Sequence, residues 1–198
     1  FTYLGSVMSG TDGTQKDIKT RIDKARGSFS RLQTIWKSKQ YSLKTKIKLY
    51  NSNVKSLLLY GSESWRMTKT DIRKINSFHN SCLRKICNIF WPNKISNVEL
   101  YAKTGCRKLT TEVTHRRLKW LGHVLRMPEN RIPKVALNWR PTGKRKRGRP
   151  KITWRRTVSD DLAAMGLSWR TADSLAQNRP RWKTKVMALC LARDEEDK

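Results

Sequence analysis

Few residues in this sequence of 198 are of types and spacings that could do chemistry. Asp160 and Asp161 are adjacent carboxylates, and paired carboxylates can hold two metal ions for phosphoryl transfer. Such a site needs a rigid frame and a third carboxylate, and neighbours on a helix point about 100° apart. Arg155 and Arg156 stand beside the pair, so surface ion pairs are the better reading. His79 and Cys82, at i and i+3, come nearest to a metal cluster, with Cys87 beyond them. A structural zinc takes four converging ligands. Cys82 and Cys87 are five apart on one expected helix and share no face, while Cys106, His115, His123 and Cys190 lie elsewhere. Cys82 falls on an apolar stripe and reads as a small core residue. Gly143-Lys144 and Gly148-Arg149 lack the pattern of a phosphate-binding loop. No nucleophile–base arrangement stands out. The expectation is therefore no catalytic residue, no metal ligand and no cofactor for this chain.

Cations are the stronger signal. The chain has 44 Lys and Arg against 15 Asp and Glu, a formal charge of +29. A folded chain carries that self-repulsion unless a polyanion neutralises it. Phosphate backbones are the commonest such partner, bound by release of their counterions; acidic lipids are a lesser alternative. Residues 140–156 hold nine Lys or Arg (Arg140, Lys144, Arg145, Lys146, Arg147, Arg149, Lys151, Arg155 and Arg156) and no acid. Pro141, Gly143, Gly148 and Pro150 deny this stretch a continuous helix. An exposed phosphate-contacting loop is expected, with a solvated linker or a nuclear import signal as the plainer uses of such a run. Trp154, Trp169 and Trp182 could stack on bases, though core anchoring is the default for tryptophans at helical spacing.

Helices must position these residues. Residues 1–12 read as a short strand and turn. Ile18, Ile22, Ala25, Phe29, Leu32 and Trp36 recur every three or four residues and predict one amphipathic helix over about 15–38. Ser42 caps a second, with Ile47, Tyr50, Val54, Leu57 and Leu58 inward, ending near Tyr60-Gly61. Thr68 and Asp71 form a capping box for a third, whose stripe is Ile72, Ile75, Phe78, Cys82, Leu83 and Ile86. Ser96 and Glu99 open a short helix, and Gly105 breaks the chain. Thr110 to about Arg126 forms another, with Val113, Leu118, Leu121 and Leu125 inward and Trp120 and Val124 broadening that face. Short helical turns are expected over 133–139, a helix over 153–165, and a last helix from Asn178-Arg179-Pro180 to about Arg193. The expected fold class is mainly α: a basic helical bundle, a short N-terminal β segment and a second helical C-terminal region. The expected divisions are 1–12, 13–92, 93–139 and 140–198. No run of some eighteen apolar residues exists, so no membrane partner is expected. The opening Phe1-Thr2-Tyr3-Leu4 has neither Met nor a signal-peptide pattern and reads as a start within a longer chain. The cysteines read as free thiols in a reducing compartment.

Five segments, in order, resemble those of non-LTR (LINE-like) retrotransposon reverse transcriptases. Phe1-Thr2-Tyr3-Leu4-Gly5-Ser6 is similar to the motif at the end of their palm. Leu59-Tyr60-Gly61-Ser62-Glu63-Ser64-Trp65 is similar to their Tyr-Gly-x-Glu-x-Trp signature. The run Arg116-Arg117-Leu118-Lys119-Trp120-Leu121-Gly122-His123-Val124-Leu125-Arg126-Met127 resembles their Arg-Leu-x-Trp-x-Gly-His-x-x-Arg segment. Gly148-Arg149-Pro150-Lys151-Ile152-Thr153-Trp154 with Asp161-Leu162, then Arg179-Pro180-Arg181-Trp182, resemble their last two segments.

The resemblance implies the end of the palm at 1–6, a thumb-like bundle at 15–90 and a C-terminal region at 95–190, downstream of the polymerase aspartates. Asp160-Asp161 is not the polymerase motif, and the cysteine spacing does not supply the zinc knuckle of some relatives. The parent would copy RNA into DNA with magnesium, and this part would hold RNA template and DNA primer beside the upstream palm and fingers, without activity of its own. The residues implied in backbone contact are Arg116, Arg117, Lys119, Arg126, Lys144, Arg145, Lys146, Arg147, Arg149, Lys151, Arg155 and Arg156. A domesticated or truncated RNA- or DNA-binding module, or a structural ribonucleoprotein subunit, is the alternative. The expected location is a nuclear or cytoplasmic ribonucleoprotein, not the secretory route.

Overall fold

The computed structural model describes residues 2–3, 6–7, 13–139 and 152–195. They are mainly helical, as expected, and the chain divides into two compact units. One comprises Phe1–Ser62 and Thr68–Glu112, the other Glu63–Met67 and Val113–Glu196.

The expected N-terminal β segment must be corrected, for it is no element of the architecture. Among the described residues its β character is confined to Thr2–Tyr3 and Ser6–Val7, two residues each, paired antiparallel. Strands that build a layer run to about five or six residues. In the sequence Gly5 and the turn formers from Ser9 onward leave no run of that length, and the described residues from Gly13 onward form the bundle from helices.

In the first unit α1 (Gly13–Arg31) buries Ile18, Ile22, Ala25 and Phe29, the expected stripe. The single helix expected over 15–38 breaks at Leu32, and α2 (Gln33–Lys37) follows. The break has a hydrogen-bonding cause. The Phe29 carbonyl, which an unbroken helix would pair with the residue four ahead, accepts the indole N–H of buried Trp36 at 2.8 Å. The Leu32 amide donates to the same oxygen at 3.3 Å, and the Trp36 ring stacks on Phe29 at 5.1 Å. The carbonyl of Trp36 in turn accepts buried Lys46 Nζ at 2.8 Å.

Ser42 caps α3 (Leu43–Tyr50) by accepting the Thr45 amide. The run continues through a π-helical turn (Asn51–Lys55) into α4 (Ser56–Leu58). That wide turn shifts the register: Leu58 and Leu59 are fully buried, whereas Leu57, expected inside, is exposed. Gly61, at φ 73°, supplies the left-handed turn that ends the segment. The Thr68–Asp71 capping box opens α5 (Lys69–Ile86) and the Ser96–Glu99 box opens α6 (Asn97–Thr104), both as expected. Gly105 ends α6 at φ 64°.

His79, which the sequence raised as a metal ligand, is a core residue of α5. Its Nδ1 accepts the Tyr50 hydroxyl at 2.7 Å, and its Nε2 donates to the Arg107 carbonyl at 3.2 Å. Burial, with Lys55 second, lowers its pKa from 6.5 to about 4. Cys82 is buried beside it, and burial pushes its thiol up to about 12.

The second unit contains α7 (Leu109–Leu125) beyond its first turn, α8 (Ile132–Asn138), α9 (Trp154–Ala164), α10 (Trp169–Gln177) and α11 (Arg179–Glu195). Its core joins Leu118, Leu121 and Leu125 of α7 to Val158 and Leu162 of α9 and to Trp182, Val186 and Leu189 of α11. Each such side chain contributes about 1.5–3 kcal/mol when fully buried. Helix α10 has no counterpart in the sequence expectation, although Ser168 opens it with a capping box to Thr171. Only Ala172 and Ala176 of that helix are fully buried, with half-buried Trp169 and Leu175 packed beside them on the core, a shorter and smaller stripe than those of the longer helices.

The neutral state of His79 gives stability a pH dependence. Its pKa is lower in the folded chain than in the unfolded one, so the unfolded state binds more protons between about 6.5 and 4. Stability is present above pH 6.5 and falls as pH drops through that window, by at most about 1.4 kcal/mol per pH unit from this group. Thermal unfolding from pH 7 to pH 4 should show a shallower loss in His79→Gln than in the wild-type chain. Equal slopes would refute the assignment.

Candidate nucleic-acid interface

The sequence run from Arg116 to Met127 sorts its side chains by helical period. Residues 116, 119 and 123 fall on one face of α7, with 115 and 120 at its margins and 126 following just past the helix end. Residues 117, 118, 121 and 125 face inward. In α11, 179, 182, 183 and 186 likewise share a face. These two faces line a cleft of about 760 Å³, with Glu63 joining them. Arg116, Lys119, Arg126, Arg179 and Lys183 surround it as five cations, with His115, His123 and Trp120 among them and Trp182 and Val186 completing the lining. Glu63 is the one carboxylate of that lining.

Gly122 sets how closely α11 approaches. A methyl group there would collide with the Trp182 indole, at 2.6 Å from Cδ1 and 2.8 Å from Cε2. Without it, the indole lies on α7 and donates to the Leu118 carbonyl at 3.0 Å. Glycine costs a helix interior about 1 kcal/mol against alanine, and here close packing requires it. At the end of α7, buried Lys134 donates to the Leu125 carbonyl at 2.9 Å and pairs with Asp173 at 3.2 Å. Arg126 donates to the Ala176 carbonyl at 2.9 Å. Desolvation, then the neighbouring Arg179, lowers its pKa.

Behind the cleft lies a buried charge network. Arg117 is 2% exposed. Its Nε and one terminal nitrogen donate to Asp161 Oδ2 at 2.9 and 2.7 Å. The other terminal nitrogen reaches the Trp65 carbonyl at 3.4 Å. Arg193 meets Asp161 Oδ1 at 3.0 Å and Thr114 Oγ1 at 3.1 Å. Trp154 donates to the Glu63 carbonyl at 2.7 Å, fastening the same short segment.

The structure thus separates the residues expected in backbone contact. Arg116, Lys119 and Arg126 come together in the cleft, whereas Arg117 turns inward. Arg155 donates to the Leu137 carbonyl at 2.6 Å and lies over the Trp169 ring at 4.4 Å, and Arg156 is exposed. Lys144, Arg145, Lys146, Arg147, Arg149 and Lys151 lie outside the described residues, as does the expected loop they compose. The Asp pair divides too: Asp160 is exposed, and Asp161 is buried against Arg117 and Arg193, not paired at the surface with Arg155 and Arg156. Arg179, Lys183, His115 and His123 were not expected at a site. A helical wheel places Trp120 about 200° from Leu118, a signal that it does not belong on the inner face; it is 39% exposed and lines the cleft.

Comparison with known proteins supplies a coarse relationship. The chain is 24% identical over 193 residues to a protein of Caenorhabditis elegans described as uncharacterized and transposon-derived, covering 92% of this chain and 68% of that protein. A family described as a domain of unknown function, DUF6451, matches residues 28–60. No solved structure matches the chain. No helix among the described residues is long and apolar enough to cross a membrane. The chain is similar to a protein of transposon origin.

Removing one partner of a buried pair leaves the other charge uncompensated, at about 3–5 kcal/mol. Asp161→Asn should lower stability by that order in denaturant unfolding, whereas Asp160→Asn, at the surface, should change it by less than about 0.5 kcal/mol. Equal effects of the two would contradict the buried network.

Proposed function

We propose that the chain binds nucleic acid through its phosphate backbone, with the cleft of α7 and α11 as a principal contact surface. The five cations around one cleft carry this reading. Arginine and lysine placed so can meet phosphates from several sides, which orients a strand without reading its sequence. Arg156 and the basic run through Lys151 extend the same chemistry along the chain, with nuclear import as another use of that run.

The specific role proposed is the thumb and C-terminal region of a non-LTR retrotransposon reverse transcriptase, holding RNA template and DNA primer. The ordered motif resemblance supports it, and so does likeness to a transposon-derived protein. On this reading magnesium and the polymerase carboxylates belong to the upstream palm, and the location is a nuclear or cytoplasmic ribonucleoprotein. A second reading, a transposon-derived binding module used without a polymerase, is favoured by one observation. This chain covers 68% of its transposon-derived relative, which leaves that relative about a third of its length, little room for fingers and palm.

Lys119 and Lys183 are exposed on opposite walls of the cleft. Replacing both by Ala should weaken binding to unrelated duplexes and RNA–DNA hybrids alike. It should also flatten the dependence of log affinity on log salt, by up to about 0.9 for each phosphate that is no longer neutralised. A salt titration of wild type and double variant, with circular dichroism as folding control, measures this. An unchanged slope in a folded variant would remove the cleft from the interface.

A further inference from the structure

The cleft contains a feature that a duplex backbone does not use. Trp120 presents an aromatic face there, its ring 5.5 Å from that of His123 at an interplanar angle of 51°. The tryptophans first considered for base stacking are fastened to the fold by their indole N–H groups instead, Trp182 buried and Trp154 and Trp169 half-buried. Trp154 donates to the Glu63 carbonyl, Trp169 to Ser159 Oγ at 2.9 Å, and Trp182 to the Leu118 carbonyl. Trp120 is the one tryptophan lining the cleft with an exposed side chain.

Size narrows the occupant. A volume of about 760 Å³ belongs to the range of small-ligand sites. It accepts roughly one or two nucleotides, and a double helix is too wide to enter. A duplex can touch only the rim. A single strand can place a base inside, because an unstacked base offers its π-face to an indole whatever its identity. The surrounding cations then meet the phosphates on either side of it. Glu63 adds a carboxylate to the lining, which disfavours a free phosphate ion and accepts a hydrogen bond from an exocyclic amino group, as carboxylates do with cytosine.

Resting on the nucleic-acid reading above, we infer that the cleft takes an unpaired nucleotide of a bound strand, with its base stacked on Trp120 and its phosphates held by Lys119, Arg179 and Lys183. The chain then prefers single strands, or duplexes with an unpaired end, to blunt duplexes of equal length.

The test uses the 198-residue chain with a labelled single strand and a blunt duplex of the same length, followed by fluorescence anisotropy. Trp120→Ala should lose about 5- to 150-fold in single-strand affinity, the range of one base–aromatic stack, and keep its duplex affinity. Trp120→Phe should recover most of the loss. Unchanged single-strand affinity in Trp120→Ala, or an equal loss on both ligands, overturns the inference. If Lys119→Ala with Lys183→Ala weakens both ligands while Trp120→Ala weakens neither, the base site is refuted and the backbone reading stands. If neither variant weakens either ligand, both readings fall.

Discussion

The second unit depends on one buried ion pair, Arg117 with Asp161. A guanidinium in a protein core needs a counter-charge and full use of its donors. Asp161 supplies the charge, and Trp65 and Thr114 take further donors. The pair joins α7 to α9 and to the short segment around Trp65, and Arg193 brings in α11 on the other carboxylate oxygen. Once Arg117 is fixed inward, the helical period obliges Arg116, Lys119 and His123 to face the cleft, with Arg126 following just past the helix end. Gly122 then admits the Trp182 indole, which places Arg179 and Lys183 on the opposite wall. The cationic cleft is thus a geometric result of a neutralised charge behind it.

The same excess of cations shapes the rest of the fold. Acidic residues are scarce, so most helices begin without a carboxylate in the first turn, and hydroxyls cap three of these instead. Ser42, Thr153 and Ser168 each accept an amide from the first turn of their helices, while Thr68 and Ser96 do so within boxes completed by Asp71 and Glu99. At helix C-termini, where positive charge is favourable, basic side chains are drawn inside. Lys46 holds a carbonyl in the last turn of α2, and Lys134 holds one at the end of α7. Some of the positive charge therefore helps to hold the fold.

Much of this was legible in the sequence, because caps and apolar periods are local signals. The stripe Ile18, Ile22, Ala25 and Phe29 and the boxes at Thr68 and Ser96 needed no tertiary knowledge. The break at Leu32 and the outward turn of Leu57 were not legible, since they depend on a distant indole N–H and on a π-turn without a sequence signature. Helix α10 was missed because it is short and its fully buried residues are two alanines, with Trp169 and Leu175 only half-buried beside them. At the site, Arg116, Lys119 and Arg126 could be named from one motif, but the opposite wall lies some sixty residues along the chain from it. Arg117 and Arg116 are neighbours of one type, and only the location of Asp161 separates a structural arginine from a surface one. Periodicity did hold the information on Trp120, since two residues from Leu118 is the far side of a helix.

The central claim is that nucleic acid occupies the face bearing Lys119 and Lys183. Lysine acetylation followed by mass spectrometry, with and without a saturating RNA–DNA hybrid, tests it most directly. Both lysines are exposed in the free chain and should react quickly there, then slow sharply once hybrid is bound. Buried Lys134 should stay slow in both states, which reports that the fold is intact. Acetylation of Lys119 and Lys183 at equal rates with and without bound hybrid would contradict the account.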